Sequence, residues 1–541
     1  MPAYRHLALL VVTVLVAPLG AHAAGEEGVK GPFDVRARTG KAPDPFARCV
    51  HPSSAIGGCG PVGPPLTHRL PGGGSESRQV YLSPEGHSCT VVERFSPTHA
   101  SVRWDIRVEG HGEPWSAPIE TRVRWDAAPG ARFWAAWGDP RPGGGPGWAD
   151  PLVPQPLADQ TFVYGGTAFT DPTVVSLPLV TLLDPAAGRG LSIVQSPEDT
   201  LRRMTIAISR QGEVTFCHLD HRISAAAPVR LSIDLVVHED DWRPALGWLA
   251  RRYPAFVDPP NPRAHDVAGL GAYSSEEGDL DAARLAAMGF GVNWKASFDF
   301  PYMGMFLAPV PAWVEWTSFL GRATSVASLR DYSRRMRQQG FRVLNYFNVT
   351  EFGTRVVDPP PPRKAGTDAD LWRDANDFLY HGPLRDAILP GPEGKPIFTW
   401  EAGIAMDPGD PAYRDFLLAQ ADRHIRQIPH SDGICIDRLD WLARYNPRFD
   451  DGVTWVDGGP ARSLFASWAE LMARLGPMMH AAGKVIFVNP HTRRLDLMRH
   501  VDGIYDEFGD MPHSLNACGL LGFRKPVMGW TASTASLQPD P

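Results

Sequence analysis

The hydrophobic and polar positions of this chain change their period near residue 240. From residue 78 to residue 238, apolar and polar residues alternate in short runs, as in 101–108 (SVRWDIRV) and 229–237 (VRLSIDLVV), and clusters of Gly, Pro and Asp separate the runs. Residues two apart lie on one side of a strand, so this alternation indicates strands with one buried face. The pattern predicts an antiparallel β-sandwich over residues 78–240.

Beyond residue 261, segments of strand character alternate with segments of helical character. Helical stretches such as 325–339, 411–427 and 462–482 separate strand candidates that begin at Gly269, Gly291, Arg342, Asp432, Lys484, Asp502 and Pro526. This alternation implies a parallel sheet, and seven or more such units predict a (β/α)8 TIM-type barrel over residues 261–541. The predicted fold class is therefore α/β plus all-β.

The last barrel unit does not fit a complete barrel. The seventh strand candidate is followed only by residues 531–541, which are too few for a helix, an eighth strand and a final helix. Either the barrel is incomplete at its C-terminal end, or it closes in an unusual way.

The N-terminus has the pattern of a signal peptide over residues 1–23. Arg5 and His6 precede an apolar run, and Ala21-His22-Ala23 has the small residues of a cleavage site. We therefore expect a secreted or periplasmic protein. No second apolar stretch reaches membrane length, so no membrane span is expected.

Two further segments complete the predicted organisation. Residues 24–77 are rich in Pro and Gly and predict an irregular lead-in. Residues 241–260 predict a connector helix between the two domains, with Asp241 at its start and Pro259-Pro260 at its end.

Charge and cysteine content narrow the function classes. The formal net charge of −7 gives no basic surface for nucleic acid or anionic membranes. The six cysteines allow disulfides in an exported chain: Cys49 with Cys59 in a small loop, and Cys89 with Cys217 across the β domain. Cys435 and Cys518 are expected to be free, buried thiols. Neither metal-ligand spacing nor a calcium motif is present, so no metal or other cofactor is expected, although the many Asp residues would allow a structural calcium.

Two short segments begin alike and end on carboxylates. Residues 432–437 (DGICID) and 502–507 (DGIYDE) both indicate a turn, a buried strand and an acid at the C-terminal end of that strand. Parallel barrels assemble their active sites at this end. Because side chains alternate, Cys435 and Asp437 share one face, and Tyr505 and Glu507 lie on the corresponding face. Glu507 is thus the better match to Asp437, and Asp506 replaces it if the register slips by one residue.

A pair of carboxyl groups on two strands is what the hydrolysis of a glycosidic bond requires. One ionised carboxylate attacks or stabilises the anomeric carbon, and a second, protonated, donates to the leaving oxygen. Arg438 beside Asp437 would keep the pKa of Asp437 low, and apolar neighbours would raise that of Glu507. These expectations make Asp437 the nucleophile and Glu507 the acid/base. The competing interpretation is a structural Asp437–Arg438 ion pair.

Other polar and aromatic residues follow the predicted strands and are candidates for substrate binding. Glu351 is also an alternative acid, as Asp506 is, in a different arrangement for which both inversion and retention of the anomeric configuration stay open. The candidates are Trp294, Lys295, Asn345, Asn348, Glu351, Arg438, Asp440, Trp441, Asn489, His491 and Arg493.

The domain order and the connector sequence resemble a known group of enzymes. A β-sandwich, a connector with Trp242-Arg243, Trp248 and Arg252-Tyr253-Pro254, and a barrel resemble the retaining α-glycosidases around the melibiase-type α-galactosidases and the related endo-α-N-acetylgalactosaminidases. The resemblance implies a nucleophilic Asp after the fourth strand and a carboxylic acid/base after the sixth. Those places hold Asp437 and Asp506 or Glu507.

Two motifs depart from the α-galactosidases. Cys435 stands where they have a Lys, and residues 489–494 (NPHTRR) replace their Cys- and Gly-rich loop. The resemblance therefore implies a distant member of the group, acting on an oligosaccharide, polysaccharide or glycoconjugate, without implying galactose. The alternative function is a non-catalytic, secreted carbohydrate-binding or cell-surface protein on the same scaffold.

Overall fold

The structure is a computed structural model of the 541-residue chain. It describes residues 50–98, 101–126, 129–137, 150–166, 174–274, 282–295, 299–309, 314–507 and 512–531. The predicted signal peptide lies outside these residues. In the part of the chain that is described, no helix is both long and apolar enough to cross a membrane.

The N-terminal half is built from strands. Their bounds are β1 Val50–Ile56, β2 Gly60–Arg69, β3 Ser75–Leu82, β4 Ser88–Pro97, β5 Ser101–His111, β6 Ile119–Trp125, β7 Arg132–Trp137, β8 Gln155–Pro156, β9 Gln160–Tyr164, β10 Val174–Asp184, β11 Arg189–Gln195, β12 Met204–Ile208, β13 Glu213–His218 and β14 Val229–Glu239.

These strands form one continuous, mostly antiparallel sheet that folds over a single core. Twelve of them run in the order β1-β6-β13-β12-β9-β10-β11-β14-β5-β4-β3-β2, and β7 and β8 join beside β10. Apolar residues of both halves, including Trp104, Trp125 and Phe216, are buried together. Polar residues alternate with them along β5, β6 and β13, as the sequence pattern predicts. The predicted β-sandwich is confirmed.

The sheet starts earlier than the sequence pattern indicates. Strands β1 and β2 and the start of β3 lie within residues 50–77, so the prediction of irregular structure is wrong for that part. Strand β2 is an exposed edge strand, where Pro61, Pro64 and Pro65 remove no hydrogen bond from the interior of the sheet. Its Pro and Gly content therefore does not exclude a strand.

The described cysteines are free thiols, and the predicted Cys89–Cys217 disulfide is wrong. Cys89 is fully buried in the sandwich core on β4, whereas Cys217 is only partly buried on the opposite face of β13. Cys49 lies outside the described residues. Cys435 and Cys518 are buried and free, as expected.

The C-terminal half alternates strands and helices. The strands are β15 Gly271–Ser274, β16 Phe290–Lys295, β17 Glu315–Thr317, β18 Ala323–Ser325, β19 Arg342–Asn348, β20 Glu351–Phe352, β21 Ile404–Ala405, β22 Gly433–Asp437, β23 Tyr445–Asn446, β24 Thr454–Val456, β25 Gly459–Ser463, β26 Val485–Val488, β27 Gly503–Asp506 and β28 Val527–Thr531. The helices, including the connector helices α1 and α2, are α1 Arg243–Arg252, α2 Pro254–Val257, α3 Ala282–Ala287, α4 Val326–Gln338, α5 Ala375–His381, α6 Pro411–Gln427, α7 Leu464–Ala481 and α8 Pro512–Gly522.

Within the described residues, seven parallel strands close the barrel. Their order is β15-β16-β19-β22-β26-β27-β28, and Ala272 of the first strand pairs with Trp530 of the last. The barrel is thus of the predicted type, and the seven strands among the described residues close it.

The two Asp-Gly-Ile segments have a common structural cause. Asp432 accepts a hydrogen bond from the amide of Val343 (3.0 Å), and Asp502 accepts one from the amide of Ile486 (2.7 Å). Each Asp thus fastens the start of its strand to the preceding barrel strand. The following Gly allows close packing, since a Cβ at Gly433 would lie 2.0 Å from the Val485 carbonyl oxygen.

The two domains share an apolar core and a buried polar seam. One apolar cluster joins the outer face of β7 and β10 to the connector helices and the barrel. In the seam, Arg494 binds both carboxylate oxygens of Asp496 (3.0 and 2.8 Å) and donates to the Arg202 carbonyl (2.8 Å). Tyr164 of the sandwich donates to Asp496 (2.8 Å). We refer to Tyr164, Arg202, Arg494 and Asp496 as the seam.

Candidate functional site

Two carboxylates meet at the C-terminal mouth of the barrel. Asp437 ends β22, Glu507 directly follows β27, and Asn489 directly follows β26, the strand between them. The Asn489 side-chain amide donates to Asp437 Oδ1 and to Glu507 Oε2, both at 2.9 Å. Strand order therefore places both acids on one amide group. We call Asp437, Asn489, His491 and Glu507 the mouth cluster.

His491 completes the mouth cluster. Its Nε2 lies 3.1 Å from Glu507 Oε2, and its Nδ1 lies 3.9 Å from Asp440 Oδ1. One potential ligand atom from each of Asp437, His491 and Glu507 lies within 4.8 Å of the other two. In the described part of the chain, these are the side chains grouped closely enough to hold a metal ion. The Asn489 side-chain amide lies between the Asp437 and Glu507 carboxylates and donates a hydrogen bond to each of them.

The electrostatic environments of the two acids differ. Burial, followed by the nearby charge of Glu507, raises the pKa of Asp437 to about 7. Burial also acts to raise the pKa of Glu507, but the hydrogen bond and charge of His491 and the Asn489 amide outweigh it and bring that pKa below its ordinary value. At neutral pH, Glu507 therefore carries the charge and Asp437 retains a large share of proton.

These pKa directions are opposite to those predicted from the sequence. Arg438 does not hold the pKa of Asp437 low, because burial and the charge of Glu507 dominate there and the Arg438 guanidinium turns to Asp440 (3.0 Å) and Glu351 (3.5 Å). The predicted Asp437–Arg438 ion pair is thus replaced by pairs with two other acids. Glu507 has polar partners instead of apolar surroundings.

Glu351 lies in a second polar group next to the mouth cluster. It is fully buried, and it accepts hydrogen bonds from Asn348 (2.9 Å) and from the Trp441 indole (3.0 Å). Burial raises its pKa, and its charge contributes to the raised pKa of Asp437. Asn348 lies opposite Asp437 in the strand register. The predicted residues Asn348, Glu351, Arg438, Asp440 and Trp441 thus gather beside Asp437.

Three predicted residues face away from the carboxylates. Asp506 is buried and accepts two hydrogen bonds from Ser514 Oγ (2.9 and 2.8 Å), and Arg493 binds the same hydroxyl. Asn345 contacts His424 of α6, behind the strand. Alternation explains the positions of Asp506 and Asn345, because each has the opposite parity to the mouth-facing residue at the end of its strand. In this geometry, Asp506, Arg493 and Asn345 have partners away from the two carboxylates, so we do not include them in the mouth cluster.

Aromatic rings form the barrel interior below the mouth. Trp294 stacks on Tyr346 (5.9 Å between ring centroids) and contacts Tyr505 (5.0 Å). The sequence analysis missed Tyr346, although its position two residues before Asn348 places it on the same face. Its hydroxyl accepts from Asn348 (3.0 Å). The Lys295 side chain lies outside what the structure describes.

Cys435 occupies the mouth-facing position before Asp437. Burial raises the pKa of its thiol well above the ordinary value, and the charges of Asp437 and Glu507 add to this effect. Cys435 is therefore a neutral, buried neighbour of the carboxylates.

The fold is similar to that of two solved glycosidases. An α-galactosidase from Lactobacillus brevis superposes with a TM-score of 0.51 at 12% identity, over 90% of this chain and 68% of that one. An α-N-acetylgalactosaminidase from Bifidobacterium bifidum gives a TM-score of 0.50 at 10% identity, over 89% of this chain and 78% of that one. No protein-family model matches the sequence, and no curated protein matches it significantly. The predicted architecture of a sandwich followed by a barrel is confirmed as a glycosidase-like fold.

Proposed function

We propose that this protein is an exported glycoside hydrolase that cleaves O-glycosidic bonds with Asp437 and Glu507. The observation that carries the proposal is the convergence of both carboxyl groups on the Asn489 amide at the barrel mouth. The two acids are only partly buried there, so a substrate can reach them. One acid with a raised pKa and one with a lowered pKa are the two protonation states that glycoside hydrolysis requires.

The separation of the two acids favours retention of the anomeric configuration. Their nearest oxygens lie within 4.8 Å. Retaining enzymes place the carboxyl groups about 5–5.5 Å apart, whereas inverting enzymes leave about 6.5–9.5 Å for a water molecule. Inversion with Glu351 as the acid has less support, because Glu351 is fully buried.

The protonation states favour Glu507 as the nucleophile and Asp437 as the acid/base, the reverse of the sequence prediction. In the first step, the Glu507 carboxylate bonds to the anomeric carbon, and the Asp437 proton passes to the leaving oxygen. In the second step, Asp437 takes a proton from water, and the resulting hydroxide replaces Glu507 on the sugar. Asn489 and His491 stabilise the charge on Glu507 in the free enzyme.

The substrate is proposed to be an α-linked oligosaccharide, polysaccharide or glycoconjugate. The two fold relatives are named for α-galactoside and α-N-acetylgalactosaminide hydrolysis. Asn348, Asp440 and Trp441 lie beside Asp437, where they would contact sugar hydroxyls.

A screen of chromogenic α- and β-glycosides tests the function. We expect turnover of at least one α-glycoside, with kcat/KM falling above about pH 7, where Asp437 loses its proton, and with an acidic limb below the ordinary pKa of a Glu, because Glu507 must be ionised. Asp437→Asn should abolish this turnover, and Asp422→Asn, at a half-exposed position of α6, should leave it unchanged. Glycan binding without turnover of any glycoside would instead identify the non-catalytic alternative.

A covalent label distinguishes the two roles. An activated fluoroglycoside of the preferred sugar should label Glu507, and peptide mass spectrometry would locate the bond. A label on Asp437 would reverse the roles while keeping the retaining hydrolase.

A further inference from the structure

The segment that follows Asp437 reaches the sandwich domain. Within it, strands β24 and β25 form a hairpin at 454–463. The Arg222 amide donates to the Val453 carbonyl (2.9 Å), and the Trp455 amide donates to the Asp220 carbonyl (3.0 Å). The Arg222 guanidinium also pairs with Asp450 (2.8 Å). This barrel segment is therefore fastened to the sandwich along its backbone.

A cleft opens beside this hairpin, separate from the mouth cluster. Its volume is about 720 Å³, within the range of ligand pockets. The barrel contributes Trp455 and Gly458, and sandwich loops at 57–59, 83–87 and 114–118 form the other walls. The cleft is thus built by both domains.

Two indole rings line the cleft. Trp115 is 7% exposed and stacks on His87 (5.4 Å between centroids, 12° between planes). Its indole N–H is buried and has no hydrogen-bond partner among the described residues. Trp455 is partly exposed, and the Arg222 guanidinium lies 5.7 Å from its ring centroid. A partly exposed indole ring in a cleft wall can pack its apolar face against a sugar ring.

The charge of the lining selects among glycans. The described lining includes the exposed carboxylate of Glu85, and it includes no Lys or Arg. Ser83 and Ser116 add hydroxyl groups. Such a lining accepts hydrogen bonds from neutral sugars and repels anionic ones.

We propose that this cleft binds a neutral oligosaccharide segment, as a second glycan site remote from the carboxylates. The proposal rests on the proposed function, because a second glycan site is useful to a protein that acts on glycans at the mouth cluster. The chain that follows Asp437 leads directly to the hairpin in the wall of the cleft. A polymeric substrate would then be held by the sandwich and the barrel together while the mouth cluster acts on another part of it.

The test uses the full chain carrying Asp437→Asn, which prevents turnover. Calorimetric titrations with verbascose, maltohexaose and β-1,4-mannohexaose should show two binding sites for at least one of these neutral oligosaccharides. Adding Trp455→Ala should weaken one site roughly tenfold or more. Glu85→Ala, a change at an exposed side chain, should weaken the same site roughly threefold. Trp248→Ala, at a partly exposed Trp outside the cleft, is the matched control.

The outcomes separate this proposal from the proposed function. If only one site is seen and Trp455→Ala removes it, the cleft proposal stands and the mouth cluster fails as a glycan site. If the single site survives both Trp455→Ala and Glu85→Ala in a chain with the parent's circular dichroism spectrum, the cleft proposal is overturned. Absence of binding by all three probes at millimolar concentration also overturns it.

Discussion

The mouth cluster and the seam use similar polar residues for different purposes, although the segment after β26 contributes two residues to each. Asn489 and His491 face two carboxylates, and Arg494 and Asp496, a few residues later, face the sandwich. In the seam, each carboxylate oxygen has partners and the guanidinium is fully buried. In the mouth, two acids share one amide and have shifted pKa values.

The difference lies in how completely the charges are paired. Full pairing makes a buried charge costly to remove, because its partner is left alone in the interior. Incomplete pairing keeps a proton and a negative charge available for chemistry, at some cost in stability. Substitutions in the seam should therefore change stability, and substitutions in the mouth should change activity.

The largest effect is expected for Glu507→Gln. Loss of the ionised carboxylate should lower kcat/KM on the best aryl glycoside on the order of 10³-fold or more, with little change in the free energy of unfolding. Glu470→Gln, at an exposed ion pair with Arg414, is the matched control. Activity within tenfold of the parent would exclude Glu507 from the reaction.

Arg494→Met should have the largest effect on stability. It leaves Asp496 buried without its cation, so we expect a loss of about 3–5 kcal/mol in the free energy of unfolding, measured by urea denaturation. Arg474→Met, at an exposed pair with Asp415, should change that free energy by less than about 1 kcal/mol. Equal losses in the two variants would contradict the distinction between the seam and an ordinary surface ion pair.

His491→Gln should move the acidic limb of the pH–activity profile. His491 lowers the pKa of Glu507, so its removal raises that pKa, and more of Glu507, the proposed nucleophile, is protonated in mild acid. The midpoint of the acidic limb of kcat/KM should move to a pH about one unit higher. On the acidic side of the profile, this shift corresponds to a roughly tenfold loss of kcat/KM. His265→Gln, at an exposed position, controls for the substitution itself. A uniform loss at every pH would indicate a role in shape alone.

The smallest effect is a gain in stability for Asp437→Asn at alkaline pH. A carboxyl group whose pKa is raised on folding stabilises the protein below its unfolded pKa of about 3.9, and this contribution is lost as pH rises through about 7. The variant does not titrate at this position, so its free energy of unfolding relative to that of the parent should be higher at pH 8 than at pH 4. Thermal or urea unfolding at both pH values measures this. If the free energies of unfolding of variant and parent differ by the same amount at pH 4 and at pH 8, burial does not disfavour the charged form of Asp437.

The periodicity of apolar residues correctly predicted three long helices and the change from a β-sandwich to a barrel near residue 240. Helices α4, α6 and α7 lie within two residues of the predicted stretches, because Ser325, Asp410 and Ser463 cap them with their side chains. Closure of the barrel with seven strands was not predictable, since it depends on pairing between β15 and β28, more than 250 residues apart in sequence.

The positions of the catalytic candidates were easier to predict than their environment. Alternation along two strands was enough to bring Asp437 and Glu507 to one mouth and to turn Asp506 away. The pKa of Asp437 depended on its burial beside Glu507, and the pKa of Glu507 depended on His491 and on the order of three strands that brings Asn489 between the acids. Neighbours in space, rather than in sequence, determined the protonation states.

The apolar cluster that runs through both domains has a consequence for protein engineering. Residues of β7, β10, the connector helices and the barrel belong to one continuous interior. Cutting the chain after the connector would expose that interior to water on both fragments, and neither half would be expected to remain monomeric. Swapping the sandwich for one from a relative would require redesign of the whole contact face, so the practical unit for expression or directed evolution is the two domains together.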